Sequence, residues 1–281
     1  MPFAEINGQR IRFEDSGGDG PPIALSHGFL MDCEMFAPQV EALSPEFRVI
    51  TWDERGSGET QFDGEPFTYW DSARDCLGLL DHLGIDRAVL GGMSQGGFLS
   101  MRAALLAPDR VRALVLIDTQ SGPEDPERLP AYRQMQQMWL QVGPVDELAQ
   151  TIAGLIIGDP VLSEPWIAKW RTLPREAMNE PTNCLFERED ITDRVGEITC
   201  PAIVFHGTAD RSIEVDRAHA LCRNLPGCGE LVLIEGAPHA SNVTHPLEVN
   251  GPLLAFLRSL AHSPAVSPPP GPGAGSTAGR A

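Results

Sequence analysis

The chain has 281 residues, 42% of them hydrophobic, and a formal net charge of −18. That is enough apolar material for a sizeable core in one or two domains, yet no apolar run approaches the roughly 20 residues that span a bilayer. The acidic balance, with Lys169 as the only lysine, opposes partnership with nucleic acid or an anionic membrane. The N-terminus has no basic segment followed by an apolar one, the mark of a secretory leader, so a cytoplasmic protein is expected. Cys33, Cys76, Cys184, Cys200, Cys222 and Cys228 lack CxxC or Cys/His ligand spacing. They read as reduced structural thiols, and neither disulfides nor a metal is expected.

In chain order, Asn7-Gly8 between short alternating segments signals a hairpin. Residues 22–26 and 48–53 read as buried strands, with a helix over 35–43 between them. A second helix over 69–83 follows from apolar residues at spacings of three and four (Ala73, Cys76, Leu77, Leu80, Leu83), with Gly84 as its stop. Then come a strand over 87–91, a Gly-rich turn, a helix over 98–106 and a strand over 111–118. After residue 120 the rhythm changes: 121–197 hold helical patterns, frequent prolines and no convincing strand. Strands resume at 202–206 and 231–235, with a helix between them and a last helix over 246–260.

The alternation predicts an α/β fold: a mostly parallel sheet with helices on both faces. The interruption after strand six is too long for a loop and reads as an inserted helical cap. The expected division is a core over 1–120 and 198–261, a cap (lid) over 121–197, and a disordered Pro/Gly/Ala/Ser-rich tail over 262–281.

Gly92-Met93-Ser94-Gln95-Gly96-Gly97 sits directly between a strand and a helix. In a G-x-S-x-G turn the serine is held at a strained apex above the sheet, and the flanking glycines let strand and helix approach closely. Ser94 is the candidate nucleophile. A serine hydroxyl needs a base, and His239, just past the last strand in Gly236-Ala237-Pro238-His239, is the candidate. Asp210, just past the preceding strand, is the candidate acid that holds the imidazole. Asp118 is a rival for the acid and His245 for the base. His27 and His206 read as structural, and Asp53 and Arg55 as a structural pair.

With His27-Gly28-Phe29, Asp53-Glu54-Arg55-Gly56-Ser57-Gly58, the Ser94 turn, Phe205-His206-Gly207-Thr208-Ala209-Asp210 and Gly236-Ala237-Pro238-His239, residues 3–260 closely resemble the α/β-hydrolase superfamily. The likeness is to its serine branch with a helical cap. The resemblance implies that the backbone N–H groups of Phe29 and Gln95 form an oxyanion hole. Thr60 departs from the serine usual in the family's D-x-R-G-x-G-x-S segment, which reads as structural. The implied activity is an esterase or lactonase working by acyl transfer, without metal or organic cofactor, on a small-molecule ester or lactone. Cleavage of a carbon–carbon bond in a diketone and cofactor-free perhydrolysis are alternatives on the same triad. A ligand-binding, receptor-like role is a further one. Met31, Met93, Met138, Trp139 and Trp166 are expected, with Phe29, to line an apolar pocket. Oligomeric state is not readable.

Overall fold

The computed structural model describes residues 2–262. Eight strands form one sheet: β1 (Phe3–Ile6), β2 (Gln9–Asp15), β3 (Pro22–Ser26), β4 (Arg48–Trp52), β5 (Ala88–Met93), β6 (Val111–Ile117), β7 (Ala202–Gly207) and β8 (Cys228–Ile234). Their spatial order is β1-β2-β4-β3-β5-β6-β7-β8. The first two are antiparallel, and the rest run parallel from β4 to β8. Asn7 and Gly8 make the β1–β2 turn with φ of 49° and 81°, the left-handed pair a two-residue hairpin needs.

The central strands are apolar on both faces because helices cover both. The pleat sends Leu90, Leu114 and Val204 into one layer with α2 (Tyr69–His82) and α3 (Gln95–Leu106). It sends Val89, Val115 and Phe205 into the other with α1 (Ala37–Leu43) and, near the C-terminus, a long helix over Pro246–His262. The helix expected over 35–43 is split into a 3-10 turn over Cys33–Phe36 and α1. Pro38 has no N–H to donate, so it fits the first turn of a helix and not its interior.

Between β6 and β7 the chain forms α4 (Leu129–Val142), α5 (Asp146–Ile156), α6 (Pro160–Trp170) and α7 (Asn179–Phe186), with no strand. Trp139, Leu148, Ile156, Trp166 and Trp170 of this insertion join the same layer as Met31 and Met35 of the loop after β3. Lys169 ties the two together at the surface, donating to Asp32 at 2.6 Å and Glu34 at 2.8 Å. The chain then runs through α8 (Val215–Asn224), a one-turn α9 (Ser241–Thr244) and the long helix, α10. That helix extends to His262; the remainder of the tail expected over 262–281 lies outside the described residues. Among the described residues no helix is long and apolar enough to cross a membrane.

One expectation about the cysteines is overturned. Cys222 and Cys228 form a disulfide, with Cα atoms 5.4 Å apart. The chain turns back tightly at the end of α8, where Leu225 N–H donates to Leu221 O and Cys228 N–H to Leu225 O, and this brings the two side chains within bonding range. Cys33, Cys76, Cys184 and Cys200 are free.

Candidate active site

Parallel strands place their C-terminal ends along one edge, and the loops after β3, β5, β6, β7 and β8 meet there. Ser94 follows β5 with φ 52° and ψ −111°, outside the regions a serine ordinarily adopts. The glycines around it are needed sterically. A Cβ on Gly96 would lie 1.9 Å from Ser26 O, and one on Gly92 would lie 2.4 Å from the carbonyl carbon of Gly96. Strand and helix pack closer here than any side chain permits.

His239 lies in the loop between β8 and α9. Its Nδ1–H donates to Asp210 Oδ2 at 2.7 Å. Asp210 Oδ1 in turn accepts from the backbone N–H groups of Ser212 and Ile213 at 2.7 and 2.9 Å, so the carboxylate cannot swing away. Burial alone would lower the imidazole pKa, but the charge and hydrogen bond of Asp210, with Asp118 and Glu124 behind it, outweigh that and raise it. Burial likewise pushes Asp210 up, and the His239 charge and hydrogen bonds bring it below its ordinary value. Neither Ser94 Oγ nor His239 Nε2 makes a hydrogen bond among the described residues. Both line one cavity.

Asp118 is not on His239. Its Oδ1 accepts from Gly207 N–H at 2.8 Å, and its Oδ2 from Ser241 N–H and Oγ at 2.9 and 2.6 Å. It therefore joins the end of β6 to the end of β7 and to the loop that carries His239. Full burial raises its pKa to about 6. His206 Nε2–H donates to Ile213 O at 2.9 Å, beneath the Asp210 turn. His245 contacts Thr244 at the approach to α10 and is absent from the cavity wall.

His27 donates from Nδ1 to Gly28 O at 2.8 Å and accepts at Nε2 from Glu54 N–H at 3.0 Å. Those partners require the neutral ring, and burial lowers its pKa to match. The ring thereby fixes the loop that presents Phe29. The backbone N–H groups of Phe29 and Gln95 donate no hydrogen bond among the described residues.

Asp53 and Arg55 do not pair with each other. Asp53 faces Arg12 on β2 and accepts from Cys33 N–H and Glu59 N–H, whereas Arg55 makes a two-pronged contact with buried Asp75 of α2 at 2.6 and 2.8 Å. Residues two apart along an extended segment leave the sheet in different directions once the strand has ended at Trp52. Thr60 Oγ1 donates to Asp53 O at 2.6 Å and accepts from Arg12 N–H at 3.0 Å. Both bonds need only the hydroxyl, so threonine serves where serine is usual.

The cavity is partly open to solvent and lined mostly by apolar groups. Besides Ser94, His239 and Phe29 it is walled by α4, α5 and α7, including Met135, Trp139, Leu155 and Phe186. Of the side chains expected there, Phe29 and Trp139 are present and four are not. Met93 is fully buried beneath the turn, packed on Gly28. Met31 faces a separate cavity beside Asp32 and Lys169. Met138 is 42% exposed, because the helix turns each residue by about 100° and Trp139 takes the inward direction. Trp166 packs under the Lys169 ammonium. Sequence reasoning missed Arg188 and Glu124, an ion pair at 3.0 Å in the same wall. No periodicity or motif distinguishes them from surface charges.

The family model described as alpha/beta hydrolase fold matches residues 21–246, from the loop before β3 to the first residue of α10, and the chain belongs to that family of enzymes. A thermophilic esterase from Thermogutta terrifontis is similar with a TM-score of 0.84 at 30% identity, over 92% of this chain and 99% of its own. The enol-lactonase from Burkholderia xenovorans LB400 gives 0.82 at 27% identity, over 92% of this chain and all of its own. In sequence, a provisionally named carbamate hydrolase RutD of Rhizobium rhizogenes is 30% identical across 89% of this chain and 98% of that protein.

Proposed function

We propose that the protein is a serine hydrolase that cleaves a carboxylic ester or lactone of a small to medium apolar substrate through an acyl-enzyme on Ser94. The observation that carries this reading is the 2.7 Å contact between His239 Nδ1–H and Asp210, at a cavity whose wall also includes Ser94. The likeness to an esterase and an enol-lactonase supports the same class.

In the proposed cycle His239 Nε2 accepts the Ser94 proton as Oγ attacks the carbonyl carbon, and Asp210 stabilises the imidazolium so formed. The N–H groups of Phe29 and Gln95 receive the developing oxyanion; Gln95 opens α3, where helix N–H groups have no internal acceptor. Collapse of the tetrahedral adduct breaks the C–O bond, and His239 passes its proton to the departing alkoxide. In a lactone that alcohol stays attached to the acyl chain. Water, giving its proton to His239, then attacks the acyl carbon and releases the acid, and the proton returns to Ser94. In this reading residues 121–197 act as a cap that walls the acyl group, while every reacting group belongs to the core.

Two measurements test it. A fluorophosphonate should label the protein at Ser94 alone, since only an activated serine reacts promptly. Ser94→Ala should abolish labelling and lower kcat by roughly 10⁶-fold with the fold intact. Hydrolysis at the wild-type rate by that variant would sink the assignment.

A further inference from the structure

An arginine stands in the wall of this mostly apolar cavity. Arg188, just beyond the end of α7, is 7% exposed, and its guanidinium stacks 4.6 Å over Phe98 of α3. A guanidinium has five N–H groups. Nε donates to Gly122 O at 3.1 Å, and Nη1 donates to Glu124 Oε2 at 3.0 Å and Leu185 O at 2.8 Å. The two N–H groups of Nη2 donate to nothing among the described residues. Three bonds clasp the beginning of the insertion to its end, which is a structural role. The other two donors have no protein partner and are not sealed from solvent, a surplus that water or a ligand can meet.

The pair also says what would meet that surplus. Glu124 already neutralises Arg188, and Asp210 and Asp118 lie beyond His239, so a carboxylate from a ligand would leave the region with excess negative charge. A neutral acceptor oxygen would not. Phe98, on which the guanidinium rests, lies four residues beyond Ser94 on α3, about 6 Å along the helix axis. Arg188 and Ser94 thus line one cavity, set apart by about one turn of α3.

We propose that Arg188 Nη2 is a specificity determinant: it selects esters or lactones whose apolar chain carries one neutral oxygen acceptor, a ketone or amide carbonyl, a few bonds from the scissile carbonyl. This rests on the hydrolase reading above, but binding can test it separately. Ser94→Ala protein, which holds intact esters, is titrated calorimetrically with ethyl hexanoate, its chain-ketone analogue and a carboxylate-ended analogue. One series carries the change in the acyl chain and another in the alkyl chain. The ketone should bind at least about tenfold tighter than the alkyl ester in one series, the size of a charge-assisted hydrogen bond gained.

Arg188→Lys, which keeps the ion pair but loses the planar fork, should erase that preference while the protein stays folded by circular dichroism. The double variant Arg188→Met, Glu124→Met should do the same, since removing both charges together avoids stranding one. Equal binding of ketone and alkyl esters in both series overturns the proposal. So does tightest binding of the carboxylate, or a ketone preference that survives in Arg188→Lys. Absence of labelling and of all hydrolysis in the unaltered protein would instead count against the hydrolase reading.

Discussion

Along the C-terminal edge of the sheet, polar groups are held by several partners at once. Asp210 accepts from two backbone N–H groups and from His239, and Asp118 from Gly207 and twice from Ser241. Over the same cavity the insertion presents mostly apolar walls, Met135, Leu155 and Phe186 among them. The first region fixes directions to within a hydrogen bond; the second fixes only shape. A reaction needs the former and a substrate preference the latter, so changes in the core should act on every substrate and changes in the insertion should re-rank substrates.

The sharpest way to break that division is Asp210→Asn. We expect kcat to fall roughly 10⁴-fold for all esters alike, because the imidazole loses its tautomer and its counter-charge. In the unaltered protein kcat/KM should rise with pH as His239 loses its proton, with a midpoint above the ordinary imidazole value of 6.5. Removing the Asp210 charge should move any residual midpoint down. Stability runs the other way: the proton on His239 favours the fold fully below 6.5, and that gain is lost as pH climbs through the raised value. A pH–rate profile and a denaturation series together check both signs.

Next in size is Arg55→Ala, which leaves buried Asp75 with Asn7 alone and should cost about 3–5 kcal/mol of unfolding free energy, measured in denaturant. Relative rates across substrates should not change. Cys228→Ser opens a loop with a sequence separation of only 6, so its expected cost is smaller, about 2 kcal/mol. Smallest in energy but decisive for the comparison is Phe186→Ala in the insertion. It should raise KM about tenfold for the longest chains that fit and leave kcat on acetyl esters unchanged. Equal losses on all esters would mean that the insertion shapes the reaction as well as the pocket.

The Ser94 turn and the residues beyond β7 and β8 were legible because local rules govern them. Only glycine fits at 92 and 96, and the ends of consecutive parallel strands must share an edge. The sheet was legible for the same reason, since strands buried on both faces leave unbroken apolar runs. The cavity wall was not. Whether Met138 or Trp139 faces inward depends on the rotation of α4, which its contacts with α5 and α7 set and its own sequence does not. The Arg188–Glu124 pair joins positions 64 residues apart, and the Cys222–Cys228 bond depends on a turn geometry that cysteine spacing does not encode.

The bridge from Lys169 to Asp32 and Glu34 has a practical consequence. The chain has no other lysine, and this one fastens α6 to the loop that carries Phe29, with its side chain 38% exposed. An amine-reactive dye therefore has a single side-chain target, placed on the seam between roof and floor. Its rate of attachment would serve as a stopwatch for how often that seam parts, and its emission as a gauge of what entering molecules do to it.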